Sequence, residues 1–447
     1  MSAHGNGVAG VATAAATDPT GTSPNHLFTP WVIGDIQEKA RLGRYRLRGF
    51  GSRADLPSLD DLTILPAGLS RMALEGYREE CDTRTVLGTR AGSPLELAIP
   101  ITVAGMSYGA LSLTAKVALG RGATLVGTST TTGDGGMLDE EREASRLLVY
   151  QCLPSRYGFT ARDLRRADAV EVVVGQGAKP GTGGLLLGSK MSETIAHARD
   201  LPAGIDQRSP VRHPDWLGPD DLVLKIEELR EATGYRIPVF VKLGASRVVD
   251  DVRLAVKAGA DVVVVDGMQG GTGASPDLLM DHTGIPTVAA VVEARRALDA
   301  IGADDVQLVV SGGVRHGADV FKLLALGADA VSIGTAALVA LDCNRPVHPE
   351  DYAALGTVAG ACHHCHTGRC PVGIATQDPD LESRLDVDEG AERVANYLGT
   401  LAMEVQMFAR ACGKSSVRSL AREDLAALTP AASAMTGLPL AGTAIPT

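Results

Sequence analysis

Seven short apolar runs, each ending in a loop of glycines and polar residues, constrain this chain more than any other feature. They are Ile99–Gly105, Ala123–Thr131, Ala169–Gln176, Pro238–Gly244, Ala260–Gly267, Val306–Gly313 and Ala328–Thr335. Each is apolar at consecutive positions, as a strand buried on both faces is. Helical patterns such as Asp250–Ala258 and Ala318–Leu326 lie between several of them. Strands that alternate with helices build parallel βα units. The distinctive residues follow the C-terminal ends of nearly all the strands, in AGMSYG, TTTGDGGM, GQGAKPGTGG, KLGA, DGMQGGTGAS, SGGV and GTAA. An open doubly wound sheet gathers its site at one switch point, whereas a barrel builds it from the whole rim. The fold expected is therefore α/β, a (β/α)8 TIM barrel. Its remaining strand, sixth in order, is placed at the short piece near Pro286–Thr287.

The rhythm also sets boundaries. Residues 1–25, mostly Ala, Thr, Gly, Ser and Pro, read as a disordered tail. Residues 26–98 form an N-terminal extension with charged helical stretches such as Asp35–Arg44, and residues 99–340 form the barrel. Residues 341–376 break the rhythm and carry clustered cysteines. Residues 377–447 read as helical to about Ala427 and close on a Pro/Ala/Gly tail. A formal net charge of −11 argues against a nucleic-acid partner, because a phosphate backbone needs a basic face. No apolar run approaches the roughly 20 residues of a membrane helix, and no export signal is visible. A cytoplasmic protein without a membrane partner is expected.

Three groups of residues carry chemistry. Ser311-Gly312-Gly313 after the seventh strand and Ile333-Gly334-Thr335 after the eighth read as a phosphate cradle, since glycine backbone can point N–H groups at phosphate oxygens. Lys179 in GQGAKPG and Lys242 in VKLG each follow a buried strand. At a barrel mouth such a lysine can face a flavin edge or a substrate carboxylate. Arg199 can grip a carboxylate through parallel N–H groups, but it also fits a solvated helix position. Asp134 in TTGDGGM is a candidate acid–base or orienting carboxylate, and equally a turn aspartate. Of seven cysteines, three sit in Cys362-x2-Cys365-x4-Cys370-Pro371. Tight clustering with an odd total points to ligation and away from disulfides. Three thiolates suit a [3Fe–4S] centre, and Cys343 as a fourth ligand permits [4Fe–4S]. Zinc, with His363, His364 or His366, competes.

Several long motifs resemble the synthase domain of the glutamate synthase family, from about Ile99 to Ala411. They are Ala104–Ser112 (AGMSYGALS), Gly175–Gly184 (GQGAKPGTGG), Gly270–Pro276 (GGTGASP) and His366–Asp378 (HTGRCPVGIATQD). The resemblance implies a barrel that holds FMN beside an iron–sulfur cluster. It implies FMN contacts from Met106, Ser107, Gln151, Lys242, Gly270, Gly271, Gly312, Gly313, Gly334 and Thr335. Lys179 and Arg199 would hold the carboxylates of 2-oxoglutarate, with Leu185 in the substrate region and Lys179 and Asp134 as catalytic candidates. Ammonia adds to the keto group, and reduced flavin passes a hydride to 2-iminoglutarate. The partners implied are a glutaminase-like subunit, a β-helix subunit and an electron donor, either ferredoxin or an NADPH-linked subunit. Neither a glutaminase domain before residue 99 nor a β-helical domain after the barrel is expected in this chain.

Asp134 stands where this family usually has Glu, and Leu185 where it has Gln. The N-terminal segment, from Trp31-Val32-Ile33 to Val86-Leu87-Gly88-Thr89-Arg90, is similar to that of short stand-alone members. Some of these are the synthase-like subunit of methylamine–glutamate N-methyltransferase (N-methylglutamate synthase). That gives an alternative outcome, N-methylglutamate and ammonia from glutamate and methylamine. A scaffold barrel without chemistry should lose its costly lysines first. A 2-hydroxy acid oxidase, suggested by Arg315 and His316, has no place for the cysteines.

Overall fold

Eight parallel strands form one sheet: β1 (Ile101–Val103), β2 (Ser129–Thr131), β3 (Leu147–Cys152), β4 (Ala169–Val173), β5 (Val239–Gly244), β6 (Val262–Asp266), β7 (Gln307–Ser311) and β8 (Ala330–Ile333). The computed structural model describes residues 27–76 and 78–443, so the tail expected over 1–25 lies outside the described residues. Ladders run from β2 through β8, and β8 pairs with β1, Val331 opposite Ile101. β1 packs beside β2 without a ladder, and the Thr128 hydroxyl donates to the Ile101 carbonyl across that seam. The ring closes as the (β/α)8 barrel expected.

Strand parity fills the interior, because alternate side chains face inward. Val149, Ala169, Phe240, Val262, Val264, Val309 and Ala330 form an apolar layer. Leu87, Leu95 and Leu97 of the hairpin Thr85–Leu87 and Leu95–Leu97 pack against it at the strand-start end. Gly88 N–H donates to Gln307 Oε1 there at 2.8 Å. Two residues further along the same strands come Gln151, Glu171, Lys242, Asp266, Ser311 and Ser332, all buried. The opposite parity, with Val170, Val172, Val239, Val241, Val263 and Val265, packs under the helices. Each such burial contributes about 1.5–3 kcal/mol.

Three of the expected strand assignments need correction. The strand placed near Pro286–Thr287 is the cap and first residue of helix Thr287–Ala300. Pro286 has φ −56° there, and the valines behind it recur at helical spacing. The strand missing from the expected set is β3, hidden behind the charged run that precedes it. Ala123 and Thr124 end helix Leu113–Leu125, so only the last residues of that run are strand.

The extension ties the rim together. Helix Pro30–Leu42 is capped by Thr29, whose hydroxyl accepts from Val32 N–H at 3.3 Å. Strand Leu47–Phe50 then pairs antiparallel with Thr272–Pro276, in the loop after β6. Arg48 locks that pairing by donating to Asp277 at 2.6 Å and Asp281 at 2.8 Å. Strand Leu62–Ile64 pairs with Leu425–Ala427. Helix Val387–Ala411, capped by Asp386, crosses helix Leu113–Leu125. Gly122 permits the crossing, since a Cβ there would lie 2.7 Å from Val394. The helical pattern expected to about Ala427 ends at Ala411, and two short turns and a strand follow. No described helix is long and apolar enough to cross a membrane.

Candidate active site at the barrel mouth

The loops after the strands enclose a cavity of about 770 Å³. Three of them meet as bare backbone. Gly312 and Gly313 have φ of +115° and +78°, which side chains rarely tolerate. A Cβ on Gly312 would lie 2.7 Å from Thr287 Oγ1, and one on Gly271 would lie 2.2 Å from Thr335 Oγ1. Gly270, Gly334 and Thr335 line the same wall, and Met106 and Ser107 line it from the β1 loop.

The inward polar layer forms the floor. Gln151 Nε2 donates to Glu171 Oε1 at 2.6 Å. Burial pushes the Glu171 carboxyl above its ordinary range, with Lys242 opposing. Lys242 Nζ lies 3.9 Å from Asp266 Oδ2. That carboxylate also accepts from Ser311 Oγ at 2.6 Å and Gly177 N–H at 2.8 Å. Lys242 has no hydrogen-bond partner among the described residues, so its ammonium donors face the cavity unspent.

Lys179, Arg199, Asp134 and Leu185 gather on one side. Lys179 Nζ donates to the Ala274 carbonyl at 2.9 Å, and burial lowers its pKa to about 8. Arg199 is 4% exposed, which rules out the solvated helix position. Its Nη1 donates to Gln207 Oε1 at 2.6 Å, and its Nη2 to the carbonyls of Tyr108 at 2.6 Å and Asp134 at 2.9 Å. Its buried Nε has no partner among the described residues. Burial lowers Arg199 as well, and Asp134 opposes this at both cations. The Asp134 carboxylate accepts from Ser155 Oγ at 2.5 Å and Ser209 Oγ at 2.6 Å, so it is an oriented group and more than a turn residue. Leu185 reaches the lining from strand Leu185–Leu186, paired with Gln207–Arg208.

Cys343, Cys362, Cys365 and Cys370 all lie within electrostatic reach of one another, and none is in a disulfide. Cys343 and Cys365 line the cavity, while Cys362 and Cys370 stand behind them. Among the described residues, no three ligand atoms of Cys343 and the cysteines and histidines of residues 362–370 converge within 4.8 Å. Tetrahedral zinc would hold its sulfurs roughly 3.8 Å apart. The spacing is too wide for a single ion. His316 instead caps helix Gly317–Ala325, and Arg315 is clamped by Asp60 and Asp319. Arg315 lines the cavity but His316 does not, so these two form no pair at the mouth.

Three buried groups escaped the sequence: Glu171, Asp266 and Lys190. Glu171 interrupts an apolar strand and Asp266 ends one, which were signals. Lys190 donates to the carbonyls of Ala110 and Cys365 from a loop with no pattern.

Residues 63–415 match the conserved region in glutamate synthase. A glutamate synthase large subunit-like protein of Rhizobium meliloti is 59% identical over 418 residues, 93% of this chain and 95% of that one. An archaeal-type NADPH glutamate synthase of a Thermotoga species is 38% identical over 415 residues, 88% of this chain and 79% of that one. A putative lactate oxidase of Pediococcus acidilactici shares the fold alone, with TM-score 0.53 at 17% identity over 84% of this chain and 88% of that one. These likenesses set the chain among the TIM-barrel oxidoreductases. Within that class, it belongs to the glutamate synthase family.

Proposed function

We propose that this chain is the FMN- and iron–sulfur-binding synthase subunit of a glutamate synthase-type enzyme, aminating 2-oxoglutarate through 2-iminoglutarate. One observation carries this: a single cavity meets the glycine cradle, the cations beside Asp134 and the cysteine loop. The cradle fits a flavin phosphate, because glycine backbone of three loops lines the cavity there and can turn N–H groups toward phosphate oxygens. The free donors of Lys242 fit the electron-rich edge of the ring, and Gln151 a second edge. Thiols spaced too widely for one ion fit a cluster. FMN, when bound, supplies the hydride.

The chain's own residues do the rest. Lys179 has two N–H groups left after Ala274, and Arg199 offers its Nε. Together they bind and orient the two carboxylates of the keto acid. Asp134, fixed by two hydroxyls, steadies both cations and holds or gives a proton at the amine nitrogen. Cys362, Cys365 and Cys370 hold a [3Fe–4S] cluster, and Cys343 stands close enough to make a four-ligand set. A glutaminase-like subunit supplies ammonia, the assembly includes a β-helix subunit, and ferredoxin or an NADPH-linked subunit supplies electrons.

Leu185 favours a second outcome. An apolar side chain in the substrate wall suits a methylated amine, as in N-methylglutamate formation from glutamate and methylamine. The test is product analysis by mass spectrometry on protein purified anaerobically with its partner chains. One tube holds 2-oxoglutarate, ammonia and a chemical reductant; the other holds glutamate and methylamine. Glutamate only in the first supports reductive synthesis, N-methylglutamate in the second supports the alternative, and neither product sinks both.

A further inference from the structure

Lys190 is the buried cation that the proposed chemistry leaves without a task. It is 2% exposed and stands where the cavity meets the cysteine loop. Its Nζ donates to the Ala110 carbonyl, in the loop after β1, at 2.9 Å. It donates to the Cys365 carbonyl at 3.1 Å. Its stem runs against Gly368, where a Cβ would lie 3.1 Å from Lys190 Cγ. The turn Gly188–Lys190 holds its backbone, with Lys190 N–H donating to the Leu187 carbonyl at 2.8 Å.

The ammonium has two carbonyls and, among the described residues, no carboxylate. The charges acting on it are Arg199 and the thiols of Cys365 and Cys370. A buried ammonium without a counter-charge is costly, so something negative is due beside it. A cluster on thiolates is negative, and gains one more unit of negative charge on reduction. A fixed cation in a low-dielectric setting favours that reduced form.

We propose that Lys190 is a positioning residue whose ammonium, pinned between the Ala110 and Cys365 carbonyls, raises the reduction potential of the cluster held by the cysteine loop. That role rests on the cluster proposed above. One electron enters from the external donor, the cluster becomes one unit more negative, and no bond forms or breaks.

Wild type, Lys190→Arg and Lys190→Gln are purified anaerobically with partner chains and assayed for iron and sulfide. Each is then titrated with dithionite and followed by electron paramagnetic resonance. Arginine keeps the charge; glutamine keeps a donor for the carbonyls and loses the charge. At a fixed poise, the reduced-to-oxidised ratio in Lys190→Gln should fall about tenfold or more, at roughly 59 mV per tenfold for one electron. Lys190→Arg should stay within about threefold of wild type. Should glutamine fail to hold the cluster, Lys190→Met is judged by the same criterion. An uncharged variant matching wild type, or an arginine variant falling equally far, overturns the role of Lys190 alone. Wild type without iron and sulfide overturns the cluster as well.

Discussion

Gln151 on β3 donates to Glu171 on β4 at 2.6 Å, and this bond decides which end of the Gln151 amide faces the cavity. With one N–H of Nε2 committed to Glu171, Oε1 and the second N–H are left for a ligand.

Replacing Glu171 with leucine leaves that Nε2 buried and unpaired. The expected cost is about 1–3 kcal/mol, measured by urea unfolding of the ligand-free protein. Flavin affinity, from fluorescence quenching, should weaken about tenfold, equivalent to roughly 1.4 kcal/mol. Unchanged affinity would show that Gln151 is held by something other than Glu171.

Lys179 gives a pH dependence of definite sign. Burial lowers its folded-state pKa from 10.5 to about 8. The unfolded chain binds the proton more tightly, so the contribution of this group to stability rises with pH between those values. Carboxylate binding runs the other way, because the ammonium is lost as pH climbs through about 8. The kcat/KM for 2-oxoglutarate should decline above that pH, with kcat less affected, since a bound carboxylate restores the proton. Lys179→Arg, charged throughout, should remove the decline. A decline that persists assigns it to another group.

If the proposed cluster is held as above, the cysteines should separate into ligands and bystanders. Cys365→Ser and Cys370→Ser should lose most bound iron. Cys81→Ser and Cys412→Ser, buried away from the loop, should keep it. Iron retained in Cys343→Ser and lost in Cys362→Ser is expected of a three-ligand centre, while loss in both assigns four ligands.

Leu185→Gln should lower the preference for methylamine over ammonia by about tenfold, as an amide replaces an apolar wall. Competition between the two amines with product ratios by mass spectrometry checks it. An unchanged ratio removes Leu185 from amine selection.

The barrel was legible because most of its buried parallel strands leave continuous apolar runs that end in glycine loops. The exceptions have local causes. Thr287 opens a helix directly behind Pro286, and the charged stretch Asp139–Ala144 masks Leu147–Cys152. The glycine loops and Lys179 were readable from residues that follow strand ends, whereas Lys242, expected after a strand, lies within β5. Arg199 was named as a carboxylate grip, but its burial was not legible, since exposure and burial of a helical arginine depend on loops far away in sequence. Lys190 was not either, because its partners, Ala110 and Cys365, lie 80 and 175 residues off.

Leucines 87, 95 and 97 close the barrel at the strand-start end. A vessel shut at its base has one door. In the proposed reaction, amine and keto acid would both reach the flavin over the same loop rim, so a neighbour docked to deliver one would stand in the path of the other. The order of events at the mouth is then set by how the assembly shares the doorway, and this chain alone does not dictate it.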